Sequence, residues 1–334
     1  MKIEGEDCME HSKGTSTARR ELGADPVIGK LVQRIAEDNS FNLRTDSDCA
    51  DDLIASVAVA CAHVRRMVDD LGEPFALSLN QRTETALGPV LFDSRQDALA
   101  ALRQASKIKD VFTSSAAEEC VFILTMQRHE YHVFGSEIEG DVVKRDVMQQ
   151  AVEFGDHNFS CAAGSLEELG DKLVENVVLY LAGLAPQRIK ADEKMRAEML
   201  RSEELLKAQL KTLQHALMEH RPFAAPSQLQ GKLAQGGQEL AGLAGRLSTL
   251  TAKDVHLCLG EIRDILLAPE RHIHLESIEM RVGDFGVKSS TGKLVRFHEC
   301  CYDDGKRLAI FLASMTRDLA RNIWPELGSA DSRP

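Results

Sequence analysis

Aromatic residues are scarce in this chain: Trp, Tyr and Phe make up 5% of it, with a single Trp and three Tyr. A core must therefore be built from Leu, Val, Ile and Ala, and the 43% apolar content supplies enough of them. No run of 18 apolar residues occurs, so no transmembrane helix is expected. Residues 1–10 lack the apolar stretch of a secretory leader. The eight cysteines form no C-x-x-C pair. Scattered along a long chain, they read as small buried hydrophobes kept reduced, and the expected location is cytoplasmic. No Lys/Arg run offsets the net charge of −12, so no nucleic-acid partner is expected. There is no G-x-S-x-G elbow, and no cofactor is called for.

The 334 residues suffice for roughly two domains of ~150 residues each. The polar residues 1–24 read as a disordered tail. Asp25-Pro26 opens a short helix with Val27, Ile28, Leu31, Val32 and Ile35 on one side, and a longer one follows from Asp48 to Leu71, stopped by Gly72. Phe75–Leu79 alternates like a strand, Ser94 caps a helix to about Ser106, and Cys120–Met126 has the continuous apolar character of a central strand. Tyr131–Ile138, Val142–Phe154 and Phe159–Ala163 are strand-like, separated by the turn-forming Glu139-Gly140-Asp141 and Gly155-Asp156-His157-Asn158. Ser165-Leu166-Glu167-Glu168 is a capping box for a helix that Pro186 should end.

Residues 187–250 organise the rest. Leu206, Leu210, Leu213 and Leu217 follow heptad steps, with Glu203 spoiling one position of the seam. After the break at Arg221–Ser227, the residues Leu233, Leu240, Leu243 and Leu247 continue the pattern, with Gly236 in one seam position. Five glycines (231, 236, 237, 242 and 245) weaken this second helix by ~1 kcal/mol each, so it needs a packing partner, in its own chain or in a second copy. Beyond it, Thr251–Asp254 caps a helix ended by Pro269. Ile278, Met280 and Val282, then Val295, Phe297 and Cys301, then Leu308, Ile310 and Leu312 read as a meander turned at Asp303-Asp304-Gly305. The expected fold is α+β: two modules with antiparallel β-meanders and flanking helices, bridged by a coiled-coil-like helical hairpin. The divisions are a 25–186 domain, the 187–250 hairpin, a 251–325 domain and a 326–334 tail.

Candidates for chemistry are few. His272, His274 and Glu276 alternate, so a regular strand would put two imidazoles and a carboxylate on one face, a usable metal shell. The apolar Ile278, Met280 and Val282 share that parity, so the strand must start late or carry a bulge. His129 and His132 would point to opposite faces of a strand, and the setting expected for them is a hairpin tip rather than a metal or acid–base site. Asp156-His157-Asn158 reads as a turn rather than an acid–base pair. Gly286–Leu294 resembles a phosphate loop, but five residues separate its glycines and Leu294 replaces the metal-binding Ser or Thr. Cys300-Cys301 would place its thiols on opposite faces of a strand. The expected function is that of a non-enzymatic interaction or scaffold protein, self-associating as a homodimer or bound to another protein. The alternatives are a metal-dependent hydrolase and a small-ligand sensor.

Overall fold

The structure, a computed structural model, describes residues 25–39, 47–78, 91–92, 94–139, 142–218, 226–249, 255–283, 286–289 and 292–329. The expected 1–24 tail, the Thr251–Asp254 cap and most of the break at 221–227 lie outside them. By internal contacts the chain divides into two units. One holds the described residues up to 32, those of 54–179 and those from 266 onward; the other holds the described residues of 33–53 and 180–265.

The first unit is built on one six-stranded sheet. Its strands are β1 (Phe75–Ala76), β2 (Glu119–Glu139), β3 (Val142–Ala163), β4 (Ile273–Val282), β5 (Lys293–Tyr302) and β6 (Arg307–Thr316). The order is β3-β2-β6-β5-β4, all antiparallel, with β1 parallel to β6 beyond the end of β5. The two expected meanders are therefore not separate modules. Strands from both sides of the 187–250 stretch meet where β2 pairs with β6, from Glu119↔Thr316 to Met126↔Ala309. Leu308, Ile310 and Leu312 alternate along β6 (Arg307–Thr316). In the sheet β6 is central, and its other parity is apolar as well: Ala309, Phe311, Ala313 and Met315 are buried.

A long strand replaces one of the expected turns, while Gly140 and Asp141 of the other lie outside the described residues. β3 runs without a break through Gly155-Asp156-His157-Asn158. Against β2 it carries one surplus residue at each of three register shifts. Two of these shifts hold Asp146 and Asp156 at φ 58° and 52°, a region where Asp is better tolerated than most residues. Turn-forming residues thus became bulges, which keep the pairing and add twist.

The sheet curls. β3 and β4 are its edges in strand order, yet the β4–β5 loop reaches β3 through Val287↔Ala151 and a hydrogen bond from Lys288 N to Gln150 O of 2.7 Å. Gly286 makes this possible. Its φ is +75°, and a Cβ there would lie 2.4 Å from Val152 O. Inside the curl, Phe154 of β3 packs edge-on against Phe297 of β5 and Phe311 of β6, with centroids 5.4 and 6.1 Å apart. Two strands separate β3 from β5, which would hold them roughly 14 Å apart in a flat sheet. The helices α3 (Arg95–Arg103), α4 (Ser106–Ser114) and α8 (Arg317–Ile323) contribute Leu102, Ile108, Phe112 and Ile323 to the same core. Ser94 caps α3 as expected, accepting from Asp97 N at 3.1 Å. α4 was not foreseen. α9 (Glu326–Ser329) lies in the stretch read as a tail, and it buries Leu327 in this core.

The opposite face is covered through Leu71, just past α2 (Ser47–Asp70), and through Leu169 and Leu173 of α5 (Leu166–Met218). α1 (Pro26–Asp38) buries Ile28, Leu31, Val32 and Ile35 of its expected face, while Val27 in its first turn is only partly buried. Pro186 does not end α5, which is continuous over 53 residues. Proline removes one helical N–H, but Leu181, Ala182, Leu184 and Ala185 are buried just before it, and that packing holds the backbone helical.

The second unit contains the rest of α5, α6 (Pro226–Thr249) and most of α7 (Val255–Leu267). The less exposed positions of α5 repeat every seven residues, at Ile189, Arg196, Glu203, Leu210 and Leu217, with Met199, Leu206 and Leu213 between them. On α6 they are Leu233, Gly236, Leu240, Leu243 and Leu247. Leu210 sits over Gly236, where a Cβ would come within 2.7 Å of its Cδ2. The two helices therefore touch within one chain at this point. Glu203 turns its carboxylate to Lys207 at 2.6 Å. Among the described residues, no helix is long and apolar enough to cross a membrane.

Candidate functional site

The concave face changes character along its length. Val295 and Phe297 of β5 belong to the aromatic core, and the next two residues of the same parity are Glu299 and Cys301. Their partners on β4 are Glu276 and His274, and Arg307 of β6 lies beside Cys301. Two glutamates directly opposite each other are unfavourable unless a cation intervenes. Arg307 does so, donating to both oxygens of Glu276 at 2.8 and 3.2 Å and reaching Glu299 Oε2 at 3.4 Å. Arg128 of β2 donates from Nε to Glu299 Oε1 at 2.6 Å and also bonds Glu130. Glu130 in turn takes Lys288 at 2.9 Å and accepts from Gln150. The result is an alternating chain: Glu276, Arg307, Glu299, Arg128, Glu130, Lys288.

Glu299 is only 2% exposed, and two guanidiniums pair with its carboxylate. The hydrogen bond from Lys288 keeps the Glu130 carboxyl below its ordinary range, and Arg307 does the same for Glu276. Glu276 in return holds the Arg307 guanidinium above its usual value. Burial raises the Cys301 thiol, against the pull of Arg307.

The structure regroups the sequence-derived metal candidates. His274 Nε2 and Glu276 Oε1 are 3.6 Å apart, and with Cys301 they present three ligand atoms within 4.8 Å of one another. His272 is not among them. It follows the 3-10 turn Pro269–Arg271 in helical backbone geometry, before β4 begins, and its Nδ1 lies 2.9 Å from Asp303 Oδ2. The strand begins at Ile273, which leaves His272 off the shared face, but it neither starts near Glu276–Ser277 nor bulges there: His274 and Glu276 share one face of an unbroken strand with Ile278, Met280 and Val282, and that face passes from polar to apolar. Cys301 was read as a core residue and as half of the Cys300-Cys301 pair, not as a metal ligand, and Arg128, Glu299 and Arg307 were not singled out. One signal was available: Glu299 is a charge at a core-facing position between Phe297 and Cys301.

The other candidates are placed as follows. His129 and His132 do not sit at a hairpin tip: β2 runs unbroken through them, they pair with Glu153 and Gln150, and they lie on opposite faces of the strand. His157 bonds Leu91 O at 2.6 Å and stacks on Phe92 at 4.4 Å, a packed structural role. In the stretch resembling a phosphate loop, Val287 and Lys288 form the clasp that joins β3. Cys61, Cys120 and Cys300 are buried, and burial pushes their thiols up to about 11, 12 and 11, which makes them poor nucleophiles. A cavity of about 420 Å³ is lined by residues that include Lys107, Ser160, Lys172 and Asn176. Its two ammonium groups are engaged with the carbonyls of Ser160 and Ala162.

No known family model, no curated protein and no solved structure matches this chain.

Proposed function

We propose that this chain is a non-enzymatic, cytoplasmic protein-interaction or scaffold protein that associates with itself through the projecting end of the β2–β3 ribbon. The observation carrying this reading is the pair Phe134 and Met148. They face each other across the ribbon and are 77% and 63% exposed. β6 accompanies β2 only as far as Met126, so the rest of the ribbon is paired strand to strand, with the Val287–Lys288 clasp near its base. A two-stranded ribbon has little stability of its own. Apolar side chains held at its tip gain about 25 cal/mol per Å² when a partner covers them.

In this reading the coiled-coil-like pair α5–α6 is a connector. Its seam is occupied within the chain where Leu210 meets Gly236, which leaves association to the ribbon.

Light scattering of the full chain at about 10 µM should give a dimer, an ordinary affinity for such an interface. The double substitution Phe134→Ser with Met148→Ser should weaken association roughly tenfold or more while leaving the melting temperature nearly unchanged. A monomeric wild-type chain at that concentration, or a dimer indifferent to both substitutions, removes the self-association reading.

A further inference from the structure

We propose that His274, Glu276 and Cys301 form a binding site for one divalent cation of the zinc class, with its fourth position open to water. This site is independent of the association surface on the ribbon.

The donor set is the first ground. A thiolate, an imidazole and a carboxylate together suit zinc and its neighbours, whereas magnesium and calcium prefer oxygen alone. Strand register is the second. His274 lies directly opposite Cys301, and Glu276 is two residues along on the same face, so the backbone brings the three together without help from a loop. Distance is the third. Two ligands bound at ~2.0–2.1 Å around a tetrahedral ion stand about 3.3–3.5 Å apart. His274 Nε2 and Glu276 Oε1 are already 3.6 Å apart. No ligand separation exceeds 4.8 Å, so closing the site takes a shift of about one ångström in a side chain. Access is the fourth: Cys301, 5% exposed, forms the base, while His274 and Glu276 are open to solvent.

Arg307 is the obvious competitor, since it grips both oxygens of Glu276. It has somewhere else to go. Its Nη1 is already 3.4 Å from Glu299 Oε2, so the guanidinium can move to that buried carboxylate and release Glu276 Oε1. On binding, the Cys301 thiol gives up its proton to solvent and a sulfur–metal bond forms. The two positive charges of the ion are then balanced by the thiolate and by Glu276.

The test uses the full chain, reduced and stripped with chelator, titrated with cobalt(II) as the spectroscopic probe and with zinc(II) by calorimetry. One cobalt per chain should bind and give thiolate-to-cobalt charge-transfer absorption together with the intense visible bands of a tetrahedral site. His274→Gln, a change at an exposed side chain, should weaken zinc binding roughly tenfold or more. Cys301→Ser should abolish the charge-transfer band. His272→Gln should alter neither. Failure of the wild-type chain to bind cobalt stoichiometrically overturns the site. So does a charge-transfer band that survives Cys301→Ser, or zinc affinity indifferent to His274→Gln, because either result assigns the metal to other residues among the eight cysteines and eleven histidines.

Discussion

The β2–β3 ribbon and the α5–α6 pair both contain residues that break regular structure. In the ribbon, Gly155-Asp156-His157-Asn158 should turn the chain, and instead one residue is pushed out as a bulge with Asp156 at φ 52°. In the helix, Pro186 should stop the chain, and the helix continues past it for 32 residues to Met218 (218 − 186 = 32). The two solutions differ because the hydrogen bonds differ. A strand depends on its neighbour, so a misfit is removed by skipping one partner and resuming the ladder. A helix bonds to itself, so a proline costs one bond locally while the packed turns around it persist. The ribbon therefore has few positions that everything depends on, and the helical pair spreads its weaknesses over many.

Gly286 is the ribbon's dependent position, and replacing it gives the largest expected effect. Gly286→Ala places a methyl 2.4 Å from Val152 O at a φ of +75°. The neighbour is backbone, which cannot step aside, so the clasp to β3 must open. The expected cost is about 2–4 kcal/mol, combining strain at positive φ with a steric clash. Urea denaturation followed by circular dichroism measures it. A loss below about 0.5 kcal/mol, the range of an ordinary surface change, would mean that the clasp contributes nothing to closing the curl.

The ionic chain comes next. Glu299→Ala leaves Arg128 and Arg307 facing each other without the carboxylate that separates them. Removing one partner of a fully buried pair costs ~3–5 kcal/mol. Arg307 is half exposed and keeps Glu276, so about 1–3 kcal/mol is expected once solvent screening is allowed for. Acid should act on the same chain. Glu130 and Glu276 are held below the ordinary carboxylate value of 4.5. Their contribution is complete above that value and is lost as pH falls through the lower, folded-state values. A wild-type chain whose urea midpoint is flat from pH 6 to 3 would contradict this.

The contrast between strand and helix also explains what could be read in advance. The seven-residue repeat through Leu206, Leu213, Leu240 and Leu247 survives in the burial pattern because a helix face is set by local geometry alone. The alternation in Ile278, Met280 and Val282 and the hairpin at Asp303-Asp304-Gly305 survive for the same reason, with Gly305 at φ +85°. What joins segments distant in sequence was not legible. Nothing local says that β2 will pair with β6 or that Gly286 will meet Val152, although both follow once the curl is formed. The metal candidates divide along the same line. His274 and Glu276 came from one strand's alternation, whereas Cys301 and Arg307 enter only through cross-strand register.

The helical pair supplies the smallest effect and the finest test of the contrast. Gly237 has nothing within 4 Å of where a Cβ would stand, so Gly237→Ala adds helix propensity at no steric cost. A gain of about 0.5–1 kcal/mol is expected. Gly236 is its immediate neighbour with the same intrinsic propensity, but its Cβ would fall 2.7 Å from Leu210 Cδ2. That atom is the end of a flexible side chain, so Leu210 can rotate away, giving up its packing as it does. Gly236→Ala should therefore gain less than Gly237→Ala, or lose stability. Thermal melts of the two single variants read the difference directly. Equal gains would mean that Leu210 does not rest on α6 in solution, and the seam would then be free for a second chain. A double variant, Gly236→Ala with Leu210→Ala, distinguishes the cases further. If the contact is within the chain, the alanine at 236 costs less once Leu210 is gone, and the two changes are not additive.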